Sequence, residues 1–194
     1  IVVTAVLFAL WRTPATGMTL WTMRIAVAGL AVTVLLGSLL AEALARGLPL
    51  PLIELTNIHL AWGLGGWALM LVAAVSYFVV PMFQLTHPYP QLFSRWFGPL
   101  LLVVLAIWSA LWLGDDLRLA QAIGLPLALL CAAFAAMTLW LQFTRRRKID
   151  DPTSLNFRVA MIALLAFAVS AAAMAVNPGL SDDPRAAVWL GMLA

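Results

Sequence analysis

The sequence predicts an all-α fold, a polytopic transmembrane helix bundle, and three observations carry that prediction. Apolar residues make up 64% of the chain and charged ones 10%, where a soluble domain carries about 25% charged residues; mean hydropathy is +1.03. Leu55 to Val80 runs 26 residues without a formal charge. At a rise of about 1.5 Å per residue such a helix reaches about 39 Å, enough to cross a hydrocarbon core of ~30 Å. Third, the basic residues alternate between sides from loop to loop, as the positive-inside rule requires.

Five full spans and two partial ones follow in order. The first partial helix ends near Trp11 and Arg12, before Thr13-Pro14. The second span covers about Thr19 to Ala45 and stops at Arg46-Gly47, with Pro49 and Pro51 beyond. The third runs from Leu55 to Val80 and is expected to stop at Pro81, because proline lacks the N–H that continues the ladder. A short fourth span, about Phe97 to Leu113, ends at Gly114-Asp115-Asp116. The fifth, about Leu117 to Phe143, carries Pro126 and should kink there. The sixth covers about Asn156 to Val176, ahead of Asn177-Pro178-Gly179, and the seventh starts after Asp183-Pro184. Asp151-Pro152 and Asp183-Pro184 each offer an N-cap carboxylate followed by a proline at the first helical position. Residues 1–194 read as a single transmembrane domain. Both ends fall within apolar helices, so a fragment of a longer membrane protein is expected.

Charge placement sets the orientation. Arg12, Arg24, Arg95, Arg145, Arg146, Arg147, Lys148 and Arg158 fall on one side; Arg46, Arg118 and Arg185 share the other with Glu42, Glu54, Asp115, Asp116, Asp182 and Asp183. The Arg145–Lys148 loop is then cytoplasmic and touches anionic headgroups. Trp11, Trp21, Trp96, Trp112 and Trp140 lie near span ends, where indole prefers the interface. The net charge of +3 is too small and too localised to serve nucleic acid. The partner is the lipid bilayer, with other membrane subunits or an electron-transfer partner as further expectations.

Few residues carry chemistry. Cys131 is the sole cysteine, which rules out an intrachain disulfide and leaves a buried structural thiol. No charged residue lies near the middle of a span, which argues against proton pumping and ion-coupled transport. Thr33, Ser38, Ser76, Ser109, Gln121 and Ser170 are the polar groups available within the spans. His87 sits in a Pro-rich loop with Tyr89 and reads as a turn residue. His59 differs, because an ionisable side chain inside a span is costly to place and marks a candidate site.

On a helix His59, Gly63, Gly66 and Met70 fall at i, i+4, i+7 and i+11, which is one face. Glycines below a histidine leave clearance for a flat macrocycle ligated by the imidazole, as haem iron is. The same glycines equally suit close helix packing, with His59 hydrogen-bonded to a neighbour. Both readings stay open on spacing alone.

The stretch Asn57-Ile58-His59-Leu60, with Gly63, Gly66-Trp67, Tyr77 and Val80-Pro81-Met82, resembles the haem-binding helix of subunit I in the haem–copper oxidases, particularly the cbb3-type branch. That helix typically carries a His-x-His pair, a Gly-Trp a few residues on and a proline near its cytoplasmic end. The likeness covers about 30 of 194 residues. It implies that His59 is the axial metal ligand of one low-spin haem b; by the helical spacing, Gly63, Gly66 and Met70 would line its pocket. The position of the active-site haem ligand is occupied by Asn57. With His59 and His87 the only histidines, the three needed for a copper centre are not available in this chain.

The functional expectation is therefore an oxidase subunit I-like protein without the copper centre, holding one haem b for electron transfer or sensing. Haem- and copper-containing membrane proteins of nitric-oxide metabolism are a close variant. A cofactor-free membrane scaffold or assembly protein, and a small-molecule transporter, are the alternatives. Whether the chain is an enzyme is left open.

Overall fold

Apolar runs of this length fold as helices in lipid, because only a helix satisfies its own backbone groups within one segment. The computed structural model describes residues 2–14, 17–114, 117–145 and 152–177, and among these there are helices and no strands. They are α1 (Val2–Arg12), α2 (Met18–Arg46), α3 (Leu52–Ala61), a π-helical segment (Trp62–Leu69), α4 (Met70–Gln84), α5 (Gln91–Leu113), α6 (Leu117–Phe143) and α7 (Pro152–Val176). Five stretches are long and apolar enough to cross a membrane: Met18–Arg46, Leu52–Gln84, Gln91–Leu113, Arg118–Phe143 and Pro152–Val176. The all-α polytopic class is thus the class of this chain.

Several boundaries differ from expectation, each for a local reason. The third span begins at Leu52, taking in Glu54, whose carboxylate suits the positive end of the helix dipole. It also passes through Pro81 to Gln84. One missing hydrogen bond does not end a helix that lipid and neighbouring helices hold in place. The stop comes at Leu85, whose φ of 52° is left-handed. α5 begins at Gln91, carrying Arg95 and Pro99 inside the helix, so the fourth span is not short. α7 begins at Pro152, with proline in the first helical position. α2 closes as expected on Gly47, whose φ of 62° lets its N–H reach the Ala43 carbonyl. The Asp151 cap, the Asp115-Asp116 turn, Arg146 to Lys148 and the span after Asp183-Pro184 lie outside the described residues.

The chain divides into two compact units. One takes in residues 1–76 and 92–115, the other residues 77–91 and 116–194. In the first, α1 is tied to α2 by Arg24. Its Nε donates to the Leu10 carbonyl (3.1 Å) and its Nη2 to the Thr13 carbonyl (3.0 Å), satisfying acceptors that the end of α1 leaves open. The core of this unit is built by Ala26, Val27, Ile58, Met70, Phe97, Leu101 and Leu105, all buried. In the second unit α6 packs along α7, where a Cβ on Gly124 would touch Ala175 at 3.7 Å. Phe134, Leu141, Met161 and Ala168 are buried there. The Tyr89 hydroxyl donates to Thr138 Oγ1 at 2.9 Å, since the Thr138 proton is committed to the Phe134 carbonyl at 2.8 Å.

The outer faces are apolar too. Ile53, Leu35, Phe143 and Val169 are 62% to 75% exposed. Such side chains would be a liability in water and are ordinary in lipid.

Candidate functional site

His59 lies one turn before the π-helical segment, within the first unit. The Trp62 N–H that closes α3 points at the carbonyls of both His59 and Ile58, so the ladder loosens immediately below the imidazole. A π-helix is wider than an α-helix and is rare except at functional or strained positions. Three of its eight residues are the glycines Gly63, Gly65 and Gly66.

The face that His59 occupies is covered by α2. His59 Nδ1 stands 3.0 Å from the Thr33 carbonyl oxygen. A carbonyl only accepts, so Nδ1 carries the proton and, in the neutral ring, Nε2 keeps its lone pair. The imidazole rests on Gly37: a Cβ there would come within 2.9 Å of His59 Cε1. One turn on, Gly63 faces the Thr33 methyl, at 3.4 Å from a Cβ built on it. One further turn on, a Cβ on Gly29 would meet the Gly66 backbone, with the carbonyl carbon at 2.5 Å and the Cα at 3.1 Å. The two helices therefore touch backbone to backbone.

These contacts form a reciprocal register. Gly29, Thr33 and Gly37 recur every four residues on α2 and oppose Gly66, Gly63 and His59 on the antiparallel partner. Small residues at that spacing let membrane helices approach closely. Thr33 also folds its hydroxyl back onto the Gly29 carbonyl at 2.9 Å, leaving its methyl for Gly63. On the other flank Trp62 covers Gly66, where a Cβ would stand 2.9 Å from the indole ring. Trp62 Nε1 donates to Ser109 Oγ of α5 at 3.0 Å, and Ser109 donates to the Leu105 carbonyl at 2.7 Å. The buried indole is thereby satisfied, as burial demands.

The four residues that spacing places on one face all lie in the first unit. His59, Gly63 and Gly66 meet α2, and Met70 is fully buried; a Cβ built on Gly98 of α5 would meet both Met70, at 2.7 Å, and Ile25 of α2, at 3.1 Å. The intervening π-helical turns close on i→i+5 hydrogen bonds and hold more residues per turn than the 3.6 that the spacing assumes. The clearance expected beside His59 is taken up by α2 itself, and with α2 so seated the residues present do not fit a porphyrin on that face. His87 is exposed in the loop after α4, where Thr86 Oγ1 donates to its carbonyl at 3.0 Å. Among the described residues no three His, Cys, Asp or Glu side chains gather as a metal site would need.

Sequence reasoning missed Gly29 and Gly37, although the signal was present as Gly-x3-Thr-x3-Gly in an apolar run. It also missed the Trp62–Ser109 pair, which no spacing rule reveals because 47 residues separate them.

Fold and site together define a polytopic membrane helix bundle whose one intramembrane histidine sits in a glycine-lined helix joint. No family model, curated protein or solved structure matches this chain.

Proposed function

We propose that this chain is a multi-pass scaffold of the bacterial inner membrane in which the His59 joint holds two spans together without a cofactor. The observation supporting this reading is the register of Gly29, Thr33 and Gly37 against Gly66, Gly63 and His59. Each small residue of α2 is matched by a partner, and the imidazole completes the series through one hydrogen bond. His59 is then a structural group, and the glycines below it serve helix contact. Arg12, Arg24, Arg95 and the Arg145–Lys148 loop face the cytoplasm in this proposal, by the positive-inside rule.

A second reading, one b-type haem on His59, is favoured by a single observation. Its Nδ1–H is held by a backbone carbonyl, the arrangement that fixes the tautomer of a ligating histidine and leaves Nε2 for a metal. That reading requires α2 to sit elsewhere when haem is bound.

The deciding experiment is a reduced-minus-oxidised difference spectrum of the purified full-length protein and of His59→Ala. Colourless protein that stays colourless after haem addition, with a lowered thermal midpoint in His59→Ala, agrees with the scaffold. A b-type spectrum lost in His59→Ala overturns it.

A further inference from the structure

The amino-terminal turn of α2 and the second turn of α5 enclose an open groove of about 360 Å³ in the first unit. It is lined by Met18, Trp21, Arg95, Trp96 and Pro99. Four of these side chains are apolar or aromatic, and the fifth is a cation. Trp21 and Trp96 are 46% and 51% exposed, and Arg95 is exposed as well.

The charge in this groove is unmatched. Arg95 makes no ion pair or hydrogen bond with any described residue. The two described acidic residues are Glu42, which pairs with Arg46 near the far end of α2, and Glu54, in the first turn of α3. Neither α2 nor α5 has an acidic residue in its first turn, and Gly17 supplies no side-chain cap to α2. The positive ends of two helix dipoles thus add to the guanidinium instead of opposing a carboxylate.

We propose that this groove binds one anionic phospholipid. The phosphate meets Arg95, and an acyl chain runs between Trp21, Trp96 and Pro99. A guanidinium matches a phosphate through paired N–H donors, and indoles prefer the depth at which headgroup gives way to chain. The occupant is a lipid rather than free phosphate because most of the lining is apolar and both helices are long enough to span a membrane.

Native mass spectrometry of the full-length protein, released from micelles doped with phosphatidylglycerol or phosphatidylcholine, tests the proposal. The wild type should retain one phosphatidylglycerol in preference to phosphatidylcholine. Arg95→Gln should lower that retention about fivefold, the worth of one arginine beside an anionic headgroup. Arg95→Lys should recover part of it, and Arg118→Gln, an exposed arginine outside the groove, should leave it unchanged. Equal retention in wild type and Arg95→Gln overturns the proposal. So does an equal loss in Arg118→Gln, which would mean bulk charge alone, or displacement of the lipid by millimolar inorganic phosphate.

Discussion

Gly29→Ala is the sharpest single perturbation of this protein. The added Cβ would stand 2.5 Å from the Gly66 carbonyl carbon, about 0.9 Å short of the 3.4 Å at which ordinary contact begins. The obstructing atoms are backbone, so no rotamer change relieves the clash and the helices must part. If α2 withdraws rigidly by that amount, the His59–Thr33 hydrogen bond opens from 3.0 Å to about 3.9 Å, past the range of a real bond. Overpacking of this kind costs about 1–3 kcal/mol, and the lost hydrogen bond about 1 kcal/mol. Alanine returns up to about 1 kcal/mol in helix propensity, leaving a net loss of about 1–3 kcal/mol. At roughly 2–4 °C per kcal/mol for a chain of this size, the thermal midpoint should fall by about 2–12 °C. Tryptophan fluorescence of the detergent-purified full-length protein reads this directly. Gly17→Ala, where a Cβ meets nothing within 4 Å, is the matched control. A Gly29→Ala midpoint equal to the control would refute the backbone contact, and with it the scaffold reading.

Three further outcomes follow from individual contacts. Ser109→Ala strands the buried Trp62 indole N–H and should cost about 1–3 kcal/mol, seen as a lower midpoint; an unchanged midpoint would place another acceptor there. Gln142 is fully buried and neither amide atom has a partner among the described residues, so Gln142→Leu should hold or raise the midpoint, and a clear fall would contradict that accounting. Tyr89, in the loop after α4, has its phenol pushed up to about 12 by burial, with the Thr138 hydrogen bond acting the other way. A raised pKa means the folded state favours the neutral phenol. That stability is complete below pH 10 and is lost as pH rises from 10 towards 12, so an alkaline melting series should steepen there, and less so in Tyr89→Phe.

Helix existence was legible in the sequence because lipid leaves a long apolar run no other way to satisfy its backbone. Gly47 marked the end of α2 correctly, whereas Pro81 misled. Pro81 read as a terminator yet sits within a helix, since membrane neighbours hold a proline-containing segment that water would fray. At the candidate site, His59 stood out because ionisable groups in spans are rare. Its partner was not legible, because a hydrogen bond to a carbonyl 26 residues away depends on register between helices, not on either sequence alone. Nothing in a residue count announces that eight consecutive positions will adopt a wider helix.

Those eight residues, Trp62 to Leu69, also lie where the third span serves two neighbours at once. Over these turns the span meets α2 through His59, Gly63 and Gly66, and α5 through Trp62 and Met70. Removing a single residue from the segment should therefore disturb packing on both partners at once, even though neither partner has been altered.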